Sequence, residues 1–132
     1  MTGRGNGSLT VVGLVAAGGA VGATARYAVG AALPSLWGTL VANVSGSLLL
    51  GFLLYEALRT DALGDRTRTL LATGVLSSYT TYSTFVVETV QAAPAVGVAY
   101  LVGSYALGIG GALVGRAGAA WVDPRPDREV DV

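Results

Sequence analysis

Long apolar runs without charge recur along this chain, and they set its architecture before any single residue does. The first runs from Gly5 to Ala25. The stretch Tyr27 to Tyr55 holds a turn at "LPSLWG" and then a second run from about Trp37. Thr69 to Val87 is the third, and Thr89 to Gly115 holds a short "QAAPAV" turn followed by the fourth. A helix needs about 20 apolar residues to cross the roughly 30 Å of bilayer hydrocarbon. The pattern therefore predicts an all-α integral membrane protein of four spans, roughly residues 8–30, 37–57, 68–90 and 95–118, in one membrane domain over residues 1–122. The connections are brief except for the charged "EALRTDALGDRTR" between spans two and three, and residues 123–132, "DPRPDREVDV", read as a polar tail. Trp37 and Trp121 fall at span ends, where amphipathic rings favour the headgroup region.

Polar positions inside these runs are costly, because an unpaired polar group in hydrocarbon loses several kcal/mol. Thr39, Asn43 and Ser47 recur every four residues and share one face of the second span, with Leu40, Val44 and Leu48 beside them. Asn43 reads either as a clasp between helices or as a donor to a passing solute. On the third span Thr73, Ser77, Thr80, Thr84 and Glu88 form a stripe, and Tyr82 and Phe85 lie three apart. Tyr100 and Ser104 share a face of the fourth. Hydroxyl and amide donors with few buried charges suit a pathway for a small polar or ionic solute better than covalent chemistry. The run "TGVLSSYTTYSTF", Thr73 to Phe85, also predicts a broken helix, because Ser, Thr and Tyr are mediocre helix formers and hydroxyls compete for backbone partners. Carbonyls freed at such a break survive in a membrane only when buried or turned toward a cavity or an ion.

Composition narrows the chemistry. Of 132 residues 52% are hydrophobic and 12% charged, about half the charged share usual in soluble domains. No Cys and no His are present, which removes disulfides and the commonest ligand and acid–base group. The net charge is zero and the eight cations, all Arg, are scattered, so no basic stripe for nucleic acid exists. An enzyme is disfavoured: the carboxylates nearest the membrane interior, Glu56 and Glu88, stand near span ends without an evident base or metal partner. "AAGGAVGATAR" imitates a dinucleotide fingerprint but lacks the strand and parallel sheet that motif needs. Arg4, the apolar stretch and "ATA" at Ala23 to Ala25 imitate a signal peptide, but that stretch is too long. Gly18 with Gly22, and Gly111 with Gly115, read as small faces for close helix packing.

Three segments carry a family resemblance: "GGAVGATARY" at Gly18 to Tyr27, "WGTLVANVSGSLLLG" at Trp37 to Gly51, and "GVLSSYTTYSTF" at Gly74 to Phe85. Together they resemble the Fluc/CrcB fluoride channels over most of the chain. The resemblance implies four-helix subunits paired antiparallel into a dimer, a third helix broken near its middle, and two narrow pores that export fluoride passively. It implies a pore at Asn43, Tyr82 and Phe85 with a hydroxyl track at Tyr100 and Ser104, to which Thr39, Ser47, Thr81 and Ser83 are added as neighbouring donors. Arg26, at the end of the first span, reads either as a vestibule cation that draws in anions or as a headgroup anchor. It also implies a structural Na⁺, not transported, held by the backbone carbonyls of Ser77 and Thr80. The chain departs from the family at Tyr82, usually Phe, and at Ser77 and Ser78, usually Gly.

The alternatives are a small four-helix multidrug-type transporter, for which a carboxylate in the first span is missing, and an accessory membrane subunit without conduction of its own. Arg4, Arg59, Arg66, Arg68, Arg116, Arg125 and Arg128 fall on one side of a four-span arrangement and Arg26 alone on the other. Positive loops stay inside, so both termini are expected in the cytoplasm and the protein in the cell (inner) membrane, embedded in lipid. That imbalance favours a partner that is a related, oppositely oriented subunit over a homodimer of two orientations.

Overall fold

A computed structural model describes residues 4–59 and 63–122 of the chain. The predicted tail at 123–132, with Arg125 and Arg128, lies outside the described residues. The described residues form helices and turns, with no strand among them. Helix α1 (Arg4–Ala32) and helix α2 (Ser35–Arg59) meet at a two-residue turn. Its cause is Pro34: the ring disfavours helical geometry at Leu33, and the Pro34 carbonyl then accepts the N–H groups of Trp37 and Gly38 to start α2. A second proline works the same way. Helix α5 (Tyr82–Gln91) stops at Ala92 and Ala93, and Pro94 opens helix α6 (Pro94–Val122) at the position where its missing N–H costs nothing.

Between these two hairpins the chain is less regular. Helix α3 (Asp65–Arg68) runs into a π-helical segment, Thr69–Leu76, and returns to α geometry in the short helix α4 (Ser77–Tyr79). Thr80 and Thr81 are then extended before α5 begins. The helical path is thus interrupted within the hydroxyl-rich run. Among the described residues three helices are long and apolar enough to cross a membrane, namely residues 7–32, Ser35–Arg59 and Pro94–Val122. They reach a few residues beyond the runs read from the sequence, because both proline turns are shorter than the polar signals around them suggest.

Glycine decides how closely these helices approach. A side chain at Gly18 would come within 2.6 Å of the Leu70 carbonyl oxygen, and one at Gly22 would strike the Val75 carbonyl. Gly51 meets Ala112, and Gly115 meets Leu48, equally tightly. So α1 lies backbone to backbone on the π-helical segment and α4, while α2 and α6 pack along much of their length. Before the interruption the chain packs mainly on α1, and after it on α6 and α2. Gly18 to Gly22 sit inside one continuous helix, which removes the strand-and-turn context of a dinucleotide site.

The charged connection between α2 and α3 is tied to the bundle through Glu56. Its buried carboxylate accepts the Leu63 N–H at 2.6 Å and lies 3.5 Å from Arg68 Nε, while Arg68 also approaches Asp65 at 3.6 Å. Glu56 therefore has a basic partner that its sequence position did not reveal, since Arg68 stands twelve residues away and is brought back by the loop.

Gly115→Val tests the close contact: overpacking against the α2 backbone is expected to cost about 1–3 kcal/mol. The thermal unfolding midpoint in detergent should drop, while Gly118→Val, which faces open space, should leave it unchanged.

Candidate functional site

The interruption at Thr80 and Thr81 releases backbone groups from the helical ladder, and Asn43 answers for them. Its Nδ2 donates to the Thr81 carbonyl at 2.9 Å and its Oδ1 accepts the Thr81 N–H at 2.8 Å. Only one orientation of the amide satisfies both bonds. Asn43 is therefore a clasp on the interrupted backbone, and one N–H of its amide is left over for another acceptor. The Thr81 hydroxyl caps α5, accepting the Thr84 N–H at 3.3 Å and donating to Thr84 Oγ1 at 3.0 Å. Two neighbouring hydroxyls serve the backbone as well: Ser77 Oγ donates to the Thr73 carbonyl, and Thr80 Oγ1 to the Leu76 carbonyl at 3.0 Å. The N–H groups four residues on, which would close helical turns onto the Ser77 and Thr80 carbonyls, are those of Thr81 and Thr84, and they donate to Asn43 Oδ1 and Thr81 Oγ1 instead.

Three cavities surround this clasp. The first, about 380 Å³, is lined by Asn43, Ser47, Tyr82, Phe85, Ser104 and Tyr105, with small residues of α6 behind them. The second, also about 380 Å³, lies along the interruption and brings Asn43, Ser47, Ser77, Thr80, Thr81 and Tyr82 together. The third, about 370 Å³, holds Arg26, Thr39, Thr81, Thr84 and Glu88. Arg26 makes no ion pair among the described residues, although Glu88 shares its cavity.

Phe85 is the hub of the first cavity. It is 5% exposed, and three tyrosine rings surround it: Tyr100 at 5.3 Å, Tyr82 at 6.0 Å and Tyr105 at 6.1 Å between centroids. Tyr105 meets it nearly perpendicular, at 80°. Aromatic rings are negative on the face and positive at the edge, so this cluster offers edges as well as hydroxyls. Ser104 Oγ is buried without a hydrogen-bond partner. A buried hydroxyl is normally satisfied, and this one lines a cavity where a guest could satisfy it.

The residues singled out in the sequence separate into groups. Asn43, Ser47, Tyr82, Phe85 and Ser104 share the first cavity, and Thr39 and Thr81 reach the third. Tyr100 and Ser104 share a helix face but not a role, because the Tyr100 hydroxyl donates to Glu88 Oε2 at 3.0 Å. Glu88 thus has a partner after all. Ser83 is exposed on α5 and lines none of the three cavities. Sequence reasoning missed Tyr105, which is out of step with the four-residue stripe of Tyr100 and Ser104. A phenol in the middle of the apolar run "YLVGSYALGIG" was the available signal. Tyr79, whose hydroxyl lies 2.9 Å from Ser45 Oγ, was missed as a tie between α2 and α4 beside the Asn43 bonds to Thr81.

Comparison with known proteins bears on what such a site does. The sequence profile of the family described as "CrcB-like protein, Camphor Resistance (CrcB)" matches residues 13–116. A Halobacterium salinarum protein named fluoride-specific ion channel FluC 2 is 56% identical over 108 residues, 81% of this chain and 84% of its own. Fluoride-specific ion channel FluC 1 of Haloarcula marismortui is 54% identical over 103 residues, 78% of this chain and 80% of its own. The protein of that name from Natronomonas pharaonis is 46% identical over 112 residues, 83% of this chain and 94% of its own.

Asn43→Leu keeps the bulk of the side chain and removes both bonds to Thr81. Leaving a buried donor and acceptor unpaired costs about 1–3 kcal/mol each. Amide hydrogen exchange at Thr81 and in the first turn of α5 should accelerate tenfold or more, with α1 unaffected.

Proposed function

The chain belongs to the CrcB-like family, and from that premise we propose that it is a fluoride-specific channel that lets fluoride leave the cytoplasm passively. The observation that carries this reading is the first cavity: a buried hydroxyl without a partner at Ser104, an amide with an unused N–H at Asn43, and the ring of Phe85 face one small space. Fluoride is small and tightly hydrated, so a pore must replace its water with donors, while a full positive charge there would trap it. Neutral hydroxyls, an amide and ring edges lie between those extremes. An inside-negative potential drives the anion outward by about 2.3 kcal/mol per 100 mV, and no further energy source is needed.

In this proposal the segment from Asp65 to Gln91 is the third of four crossings, broken at its middle, and the functional unit is an antiparallel dimer. Ser47, Thr39, Thr81 and Tyr82 extend the pore from Asn43 and Phe85, and Arg26 draws anions into a vestibule; Ser83, which lines none of the three cavities, is left out of it. Tyr100 contributes its ring beside Phe85, its hydroxyl being held by Glu88. The carbonyls of Ser77 and Thr80 are suited to a structural Na⁺: the N–H groups that would close helical turns onto them are engaged by Asn43 and Thr81, and their own hydroxyls are turned back onto the backbone. Such an ion would supply fixed positive potential beside the path.

Purified protein in liposomes should release fluoride and retain chloride. Phe85→Ile, which keeps bulk but removes the ring edge, should slow release about tenfold or more. Asn43→Asp should nearly abolish it, because like charges 4 Å apart repel by about 4 kcal/mol at an effective dielectric of 20. Ser77→Ala should be mild, and exchanging Na⁺ for a bulky organic cation should slow release in both. Chloride release without fluoride release would overturn the proposal.

Orientation follows from Arg placement. In a four-crossing arrangement, seven Arg on one side against Arg26 on the other support a cytoplasmic location for both termini in the cell membrane, and an oppositely oriented, related subunit as partner. A C-terminal reporter in cells lacking related genes should signal from the cytoplasmic face. Equal signal from both faces, or strong fluoride release by this chain alone, would restore the homodimer.

A further inference from the structure

Two phenol hydroxyls at the first cavity have no partner among the described residues. Tyr82 is 71% exposed and Tyr105 54% exposed in the single chain, and both rings lie about 6 Å from Phe85. Tyr105 stands three residues before the midpoint of α6, about 5 Å along a helix of 29 residues. At that depth a hydroxyl facing lipid would lack any hydrogen-bond partner, at a cost of a few kcal/mol. Tyr105 nevertheless lines the same cavity as Ser104, whose buried hydroxyl is also unpartnered, and Asn43, whose amide has an N–H left over. Three donors around one space, each lacking an acceptor, share one explanation: the acceptor is the guest.

We propose that Tyr105 is an ion-contacting, specificity-determining residue, its hydroxyl acting with that of Tyr82 as a pair of donors that receive a small anion at the mouth of the cavity beyond Ser104. The proposal rests on the channel reading and adds to it a residue outside the stripe of Tyr100 and Ser104. The Phe85 ring contacts both phenols, Tyr82 on α5 and Tyr105 on α6, and so ties the two elements together at the one cavity that both tyrosines line. Phenol donors favour small anions of high charge density over chloride, because a larger anion spreads its charge and accepts a weaker bond.

The test is Tyr105→Phe and Tyr82→Phe, alone and together, in liposomes, with fluoride and chloride release measured beside wild type. Each variant keeps its ring and loses only an oxygen. A bond from a neutral donor to an anion is worth about tenfold in occupancy, so each variant should require about tenfold more fluoride for half-maximal release, and the fluoride-to-chloride ratio should fall. Cross-linking reads assembly in the same samples. Unchanged concentration dependence and ratio in Tyr105→Phe, with wild type conducting, would overturn the proposal and leave the channel reading intact. Slower release accompanied by loss of assembly would also overturn it, making the hydroxyl a clasp between subunits. Wild-type protein that releases no fluoride would overturn the channel reading and this proposal with it.

Discussion

The constraint behind this structure is that a backbone that leaves the helical ladder must find other hydrogen-bond partners. Thr80 and Thr81 leave the helical path, and the groups released there are answered from another helix. One amide, Asn43, takes the N–H and the carbonyl of Thr81 together. Because Asn43 sits on α2, the interruption is fixed in register against a different helix from the ones it joins. The cavities on either side inherit their shape from that single anchoring. Residues on both sides of the clasp, Ser47 and Tyr82 among them, line two cavities at once.

The polar groups then divide by what they are bonded to. Hydroxyls of Thr81, Ser77 and Thr80 serve the backbone, and that of Tyr100 serves Glu88. Those of Ser104, Tyr82 and Tyr105 serve nothing among the described residues, and they cluster around Phe85. The hydroxyls of the interrupted segment and of α6 thus fall into two populations. The first supplies partners to the backbone and to a carboxylate, and the second leaves a space lined with donors.

Much of this was legible in the sequence, for reasons that can be named. Apolar runs of about 20 residues and two prolines announce the long helices and their turns, since length and φ restriction are local properties. The interruption near Thr80 was legible because propensity and hydroxyl competition act on the same few residues. The π-helical geometry of Thr69–Leu76 was not, since nothing in "TLLATGVL" distinguishes it from an ordinary apolar helix. Pairings across elements were equally hidden: Asn43 with Thr81, Glu56 with Arg68 and Tyr100 with Glu88 join positions 38, 12 and 12 residues apart. Periodicity placed Tyr100 and Ser104 on one face, but only packing shows that one hydroxyl is spent on a carboxylate and the other is free.

The glycine contacts have a mechanical consequence. Gly18 and Gly22 press α1 against the backbone of the π-helical segment, and Gly51 and Gly115 press α2 against α6. Seams of that kind contain no rotamers that could yield gradually, so each pair of helices behaves as a stiff slab. The chain passes from one slab to the other at Thr80 and Thr81, where two extended residues and one amide replace a helical ladder. Any relative movement of the two slabs is therefore taken up at these two residues, which also line the second cavity.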